Sequence, residues 1–130
     1  SRMGGFAPVP GQTVYGASKA AVKLFTEGLY AELRGTPVAV TVVFPGGVAT
    51  GITENSGVAM PGGAAAEEAG SSMSMTTATA AARQILTGIE KGSYRVVIGR
   101  DARGLDAMTR LAPQRATDFV AKKMASLLGR

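Results

Sequence analysis

Val38-Ala39-Val40-Thr41-Val42-Val43-Phe44, followed at once by Pro45-Gly46-Gly47-Val48-Ala49-Thr50, is the stretch that decides the fold. An almost unbroken apolar run suits a strand covered on both faces, as in a parallel sheet. Pro45-Gly46 then stops it. Parallel neighbours cannot be joined by a tight hairpin and need a long crossover, usually a helix. With the order helix, strand, helix, strand, helix read around it, the segment predicts an α/β layer protein.

Working outward, residues 1–14 read as a loop, because Pro8, Pro10 and Gly11 block regular structure. From about Tyr15 to Arg34 the pattern turns helical: Ala17, Ala21, Leu24, Phe25, Gly28 and Leu29 recur at three- and four-residue spacing, and Gly35 follows as a stop. On the other side, residues 51–76 are rich in Gly, Ala, Ser and Met without a period, with room for a short helix near 64–69. Thr76 or Thr77 is placed to cap a helix running to about Lys91, with Ala78, Ala81, Ala82, Ile85, Leu86 and Ile89 inward and Gly92 as its end. Arg95-Val96-Val97-Ile98 reads as a second strand stopped by Gly99. Asp101 is placed as the N-cap of a helix that buries Leu105, Met108 and Leu111 and ends before Pro113. A last amphipathic helix is expected over 117–128, with Phe119, Val120, Met124, Leu127 and Leu128 as its stripe. Two strands are too few for a self-sufficient parallel sheet, so further strands should come from elsewhere.

Composition narrows the chemistry. The 130 residues are 45% apolar and 18% charged, a globular balance in a chain long enough for one domain. There is no cysteine, which removes disulfides and thiolate nucleophiles, and no histidine, which removes His-based triads and the common zinc sites. The expectation is no metal. No apolar run reaches the roughly 20 residues that span a bilayer. Of the net charge of +5, most falls in the second half, yet only Lys122-Lys123 are adjacent. Spaced arginines on a solvated surface explain this better than a nucleic-acid stripe. The opening Ser1-Arg2-Met3-Gly4-Gly5 has no signal-peptide layout and no initiator methionine, so a piece of a longer chain is expected.

Three segments carry the chemistry. In Tyr15-Gly16-Ala17-Ser18-Lys19, positions i and i+4 share one helix face, so a phenol and an ammonium converge. A free phenol titrates at about 10, and a neighbouring ammonium favours the phenolate. That is the tuning a tyrosine needs to exchange a proton with a carbonyl or alcohol oxygen. Pro45–Thr50 follows a strand directly, where ligands of open α/β sheets bind, and its glycines let backbone amides approach a flat ligand. Ser1 stands fourteen positions before Tyr15, and a hydroxyl beside the phenol could polarise a carbonyl. Each segment alone is weak: Tyr-x-x-x-Lys is common on helix surfaces, a strand often ends in Pro-Gly, and a lone serine means nothing.

In order, Ser1-x-x-Gly4, Pro10, Tyr15-x-Ala17-Ser18-Lys19 and the strand ending in Pro45-Gly46-x-Val48-x-Thr50 resemble the short-chain dehydrogenases/reductases. The resemblance implies the C-terminal part of a Rossmann-like doubly wound parallel sheet, incomplete in this chain, with a catalytic helix at 15–34, a variable substrate lid at about 51–76, and closing helices and strand over 77–128. It implies NAD or NADP as cofactor and an alcohol or carbonyl compound as substrate. Tyr15 would be the general acid/base. Lys19 would support it and bind the nicotinamide ribose, and Ser1 would orient the substrate oxygen. Pro45, Gly46, Val48 and Thr50 would hold the nicotinamide. It also implies a cytoplasmic homodimer or homotetramer when full length. Met60, Met73 and Met75 could form an adaptable wall of the lid, or simply pack locally. In the family the serine usually sits one residue closer to the tyrosine, where this chain has Arg2. The family's Gly-rich phosphate loop, its Asn-rich motif and its catalytic asparagine have no counterpart in these 130 residues. A non-catalytic interaction module built on helix 15–34 is the competing expectation. Sugar-nucleotide epimerases share Tyr-x-x-x-Lys, but the Ser18-Lys19 pair and the Pro-Gly turn argue against them.

Overall fold

The computed structural model describes residues 3–50 and 75–127. A 3-10 turn, Met3–Gly5, precedes α1 (Thr13–Glu32). Then come β1 (Val42–Pro45), β2 (Val48–Ala49), β3 (Thr76–Thr77), α2 (Ala78–Glu90), β4 (Arg95–Ile98), α3 (Arg100–Leu111) and α4 (Pro113–Leu127). β1 and β4 pair in parallel, with Val42 opposite Arg95 and Pro45 opposite Ile98. β2 and β3 form a second parallel pair, with Val48 opposite Thr76. The chain is thus α/β with small parallel sheets, as the apolar run predicts.

The sheet strand is shorter than that run. Val38 to Thr41 lie outside β1, and Val38 is exposed. A ladder extends only as far as its neighbour, and β4 offers four residues. The Val42 N–H closes the ladder on the Tyr94 carbonyl at 3.0 Å, and just before it the Thr41 hydroxyl donates to the Ser93 carbonyl at 2.8 Å. β1 alternates buried and half-buried residues, so only one of its two faces is fully covered, not both as expected.

The core lies where this pair meets α2 and α3. Phe44 and Ile98 are 0% exposed, and Val42, Ala81, Ala102 and Ala116 are buried around them. The rings of Phe6 and Phe44 meet edge to face at 5.3 Å, and the Arg95 guanidinium stacks 4.3 Å from the Phe44 ring centroid. Arg95 also pairs with Asp106 of α3, which anchors that helix over β4. α2 starts at the Thr77 cap, whose hydroxyl accepts the Ala80 N–H at 3.2 Å. It comes down on β4 through Gly88, where an added Cβ would overlap the Val96 side chain. Of its expected inward residues only Ala81 is buried, while Leu86 and Ile89 remain more than half exposed.

Two helix starts differ from expectation. The cap of α3 is Gly99, at φ 96°, a backbone state that favours glycine. Asp101 instead lies in the first turn of the helix. α4 begins at Pro113, four residues before the expected 117, because a proline at the first helical position loses no hydrogen bond and arrives with helical φ. In α1 the helical period is present without a buried face. None of its twenty residues is buried, and the expected inward residues Leu24 and Phe25 are 69% and 67% exposed.

Candidate functional site

Tyr15 lies in the first turn of α1 and Lys19 one turn later. The helix spacing brings them together: the Lys19 Nζ is 5.2 Å from the centroid of the Tyr15 ring. The phenol is reachable, with Tyr15 39% exposed. Ser18 spends its hydroxyl on the helix itself, donating to the Tyr15 carbonyl at 2.7 Å. The ring rests on the 3-10 turn, where a Cβ on Gly4 would lie 3.6 Å from Tyr15 Cε1. Gly16 permits that approach, since a Cβ there would come within 3.3 Å of the Gly4 carbonyl oxygen. This role of Gly16 is not apparent in the sequence, where the residue reads only as a spacer.

Pro45, Gly46, Val48 and Thr50 follow one another past the carboxyl end of β1. Pro45 closes the β1 ladder, and the buried Gly46 N–H donates to the Ile98 carbonyl at 2.9 Å. Gly47 is held at both its amide groups. Its N–H donates to Asp101 Oδ2 at 3.0 Å, and its carbonyl accepts the Thr76 N–H at 2.9 Å. Alternate residues of a parallel strand turn their amide groups to opposite sides. With the Gly47 carbonyl spent on Thr76, Val48 turns its own N–H and C=O away from β3. Val48 is half-buried and Thr50 exposed. Asp101 is the residue that sequence reasoning missed here: it reads as a helix cap, and nothing local points to a partner 54 positions away.

The segment 3–7 joins the two groups. It carries the Tyr15 ring on Gly4, and through Phe6 it packs on Phe44 of β1, the strand that leads into Pro45–Thr50. Ser1 lies outside the described residues, as do residues 51–74 of the lid expected at about 51–76, its Met60 and Met73, and the short helix near 64–69.

A second tyrosine offers a contrast. Tyr94, just before β4, meets Tyr30 of α1 edge to face at 4.6 Å. Partial desolvation, and then the adjoining Glu27 carboxylate, pushes its phenol above the ordinary value of 10.0. Glu27 is itself paired with Lys23 at 2.8 Å. A phenol beside a carboxylate is disposed to keep its proton. Tyr15 has an ammonium beside its ring instead.

The short chain dehydrogenase family model matches residues 1–60, a span that holds the Tyr15–Lys19 pair and the Pro45–Thr50 turn. SadH of Mycobacterium tuberculosis, named as an oxidoreductase, is 36% identical over 129 residues, covering 96% of this chain and 47% of that protein. The y4eK protein of Sinorhizobium fredii, named as a short-chain type dehydrogenase/reductase, is 53% identical over 49 residues, 38% of this chain and 20% of its own. Sulfoacetaldehyde reductase 2 of Chromohalobacter salexigens is 54% identical over 46 residues, 35% of this chain and 18% of its own. The chain spans about half the length of SadH and about a fifth of the length of y4eK. No solved structure is a significant match. Family model and relatives agree with the ordered motifs and the parallel α/β layout, and the chain belongs to the short-chain dehydrogenase/reductase family.

Proposed function

We propose that this chain is the C-terminal, catalytic part of an NAD(P)-dependent oxidoreductase that interconverts an alcohol and a ketone or aldehyde. The observation that carries the reading is the 5.2 Å approach of the Lys19 ammonium to the Tyr15 ring on an accessible helix face. Tyr15 gives its proton to the substrate oxygen during reduction and takes it back during oxidation. Lys19 places a cation beside the ring that must carry negative charge once the proton has left. Ser1 orients the substrate oxygen.

The residues present fit the nicotinamide end of the cofactor. Gly46 and Gly47 put no side chains of their own past the end of β1, where the Asp101 carboxylate takes the space over Gly46; the Val48 amide faces away from β3, and the Thr50 hydroxyl follows. These groups would meet the ring and its carboxamide, and Lys19 the adjoining ribose. When bound, the cofactor supplies or accepts the hydride. No Gly-rich strand–turn–helix for its phosphates occurs in the 130 residues. That half of the site, with the remaining strands of a Rossmann-like sheet, belongs to the rest of a longer protein. NAD and NADP both suit the residues described. The protein acts as a cytoplasmic homodimer or homotetramer on a small alcohol or carbonyl compound. No described helix is long and apolar enough to cross a membrane.

The test is Tyr15→Phe in the longest product of the reading frame that holds these residues, assayed for NADH and NADPH consumption against a panel of ketones and aldehydes. Loss of the general acid should lower turnover by roughly 10²–10⁴-fold. Turnover within a few-fold of the parent would falsify the assignment. The exposed face of α1 favours one further reading, an interaction module without catalysis. It predicts that Tyr15→Phe leaves self-association intact in a chain that never consumes cofactor.

A further inference from the structure

Asp101 makes the one side-chain contact among those described that reaches from α3 into the Pro45–Thr50 turn. Its Oδ2 accepts the Gly47 N–H at 3.0 Å. The carboxylate lies in a cradle that two glycines leave open. A Cβ on Gly46 would fall 2.5 Å from Oδ1, and one on Gly99 would also overlap it. Any side chain at either position would push the carboxylate off Gly47. Oδ1 is buried and has no hydrogen-bond partner among the described residues. An unpaired buried acceptor costs stability, so local convenience does not explain an acid here. The anion does stand in the first turn of a twelve-residue helix, where the dipole favours negative charge.

We infer that Asp101 is a positioning residue for the Pro45–Thr50 turn: it fixes the Gly47 amide and, through it, the direction of the Val48 backbone. With Thr76 on the Gly47 carbonyl and Asp101 on its N–H, the peptide planes on both sides of Gly47 are pinned. The functional consequence rests on the dehydrogenase reading above, in which that backbone receives the nicotinamide. The contacts of Asp101 described are with the turn itself and with Gly99. Asp101 acts by presenting the turn in binding geometry, so its removal should be felt in cofactor affinity before chemistry.

The experiment compares Asp101→Ala with Asp101→Asn in the longest reading-frame product, with two readouts. Amide hydrogen exchange of Gly47 reports the tie directly and needs no activity. The Ala variant should exchange about tenfold faster, the worth of one hydrogen bond to a charged acceptor. The Asn variant keeps a carbonyl acceptor and should stay within about threefold of the parent. Steady-state kinetics report the consequence: in the Ala variant the KM for NADH or NADPH should rise about tenfold, with kcat changed less than about threefold, and Asn should restore it. As a second probe, Gly46→Ala should speed Gly47 exchange in the parent but add little in Asp101→Ala, where the overlapping carboxylate is gone. Unchanged Gly47 exchange in Asp101→Ala overturns the inference whatever the activity. So does an Asn variant as impaired as Ala, or an Ala variant that loses kcat with KM unmoved. A parent chain without cofactor turnover but with the predicted exchange pattern sinks the dehydrogenase reading and leaves Asp101 as the tie of the turn.

Discussion

The layer of β1, β4, α2 and α3 and the helix α1 contain similar proportions of apolar residues, yet they stand in different surroundings. In the layer, Phe44, Ile98, Ala81 and Ala102 are closed off from water on all sides. Along α1, Val14, Val22, Leu24 and Phe25 are all exposed, and among the described residues the helix is held mainly by the 3-10 turn, β1 and Tyr94. The difference teaches that apolar period and apolar cover are separate properties. The period is written in the helix, whereas the cover has to be supplied by something packed against it. Among the described residues the layer has its own cover and the helix that carries Tyr15 and Lys19 has none.

Four measurements break or sharpen that contrast. The largest effect belongs to Phe44→Ala, which empties the contact among Phe6, Phe44 and Arg95. It should cost about 3–5 kcal/mol in denaturant titration, and a loss under about 1 kcal/mol would mean the layer is not the core. Gly88→Ala pushes a methyl into Val96 and should cost roughly 1–3 kcal/mol by forcing α2 off β4. Leu24→Gln, on the open side of α1, should change stability by less than about 0.5 kcal/mol. A cost of about 2 kcal/mol or more there would reveal that another segment or subunit covers the helix. The smallest effect is a pH dependence at Tyr94. Its folded-state value is raised above the ordinary 10.0, so its contribution is fully present below pH 10 and is lost as pH rises through the higher folded value. Tyr94→Phe should flatten that alkaline fall in a melting series, and an unchanged slope would assign the fall to other groups.

What was legible in the sequence follows the same division. Arg95–Ile98 is found at its observed bounds because an apolar run is bracketed by turn residues on both sides. Tyr15 and Lys19 converge because helix geometry alone sets positions i and i+4. The Thr77 cap is a local property too. Expectations failed where a distant neighbour decides. Val38–Thr41 look like strand, but β4 provides no partners for them. Leu24 and Phe25 look buried, but nothing described here lies over them. Asp101 looks like a cap, but Gly99 takes that place and the carboxylate turns to a peptide 54 positions away in the chain. The approach of Lys19 to Tyr15 was readable because it is local, and the support for the Pro45–Thr50 turn was not because it is tertiary.

The way α1 is attached has a mechanical side. The helix is seated on Gly4 beneath Tyr15 near its start and against Tyr94 at Tyr30 near its end. At 1.5 Å per residue, Tyr30 is about 17 Å along the axis from Lys19. Two bearings that far apart forbid the rod to roll: any twist that swung the ammonium away from its phenol would have to shear an aromatic contact at the opposite end. The azimuth of Lys19 is therefore set partly by a tyrosine that never comes near it, and slack introduced at Tyr30 should be transmitted to the other end as torsion.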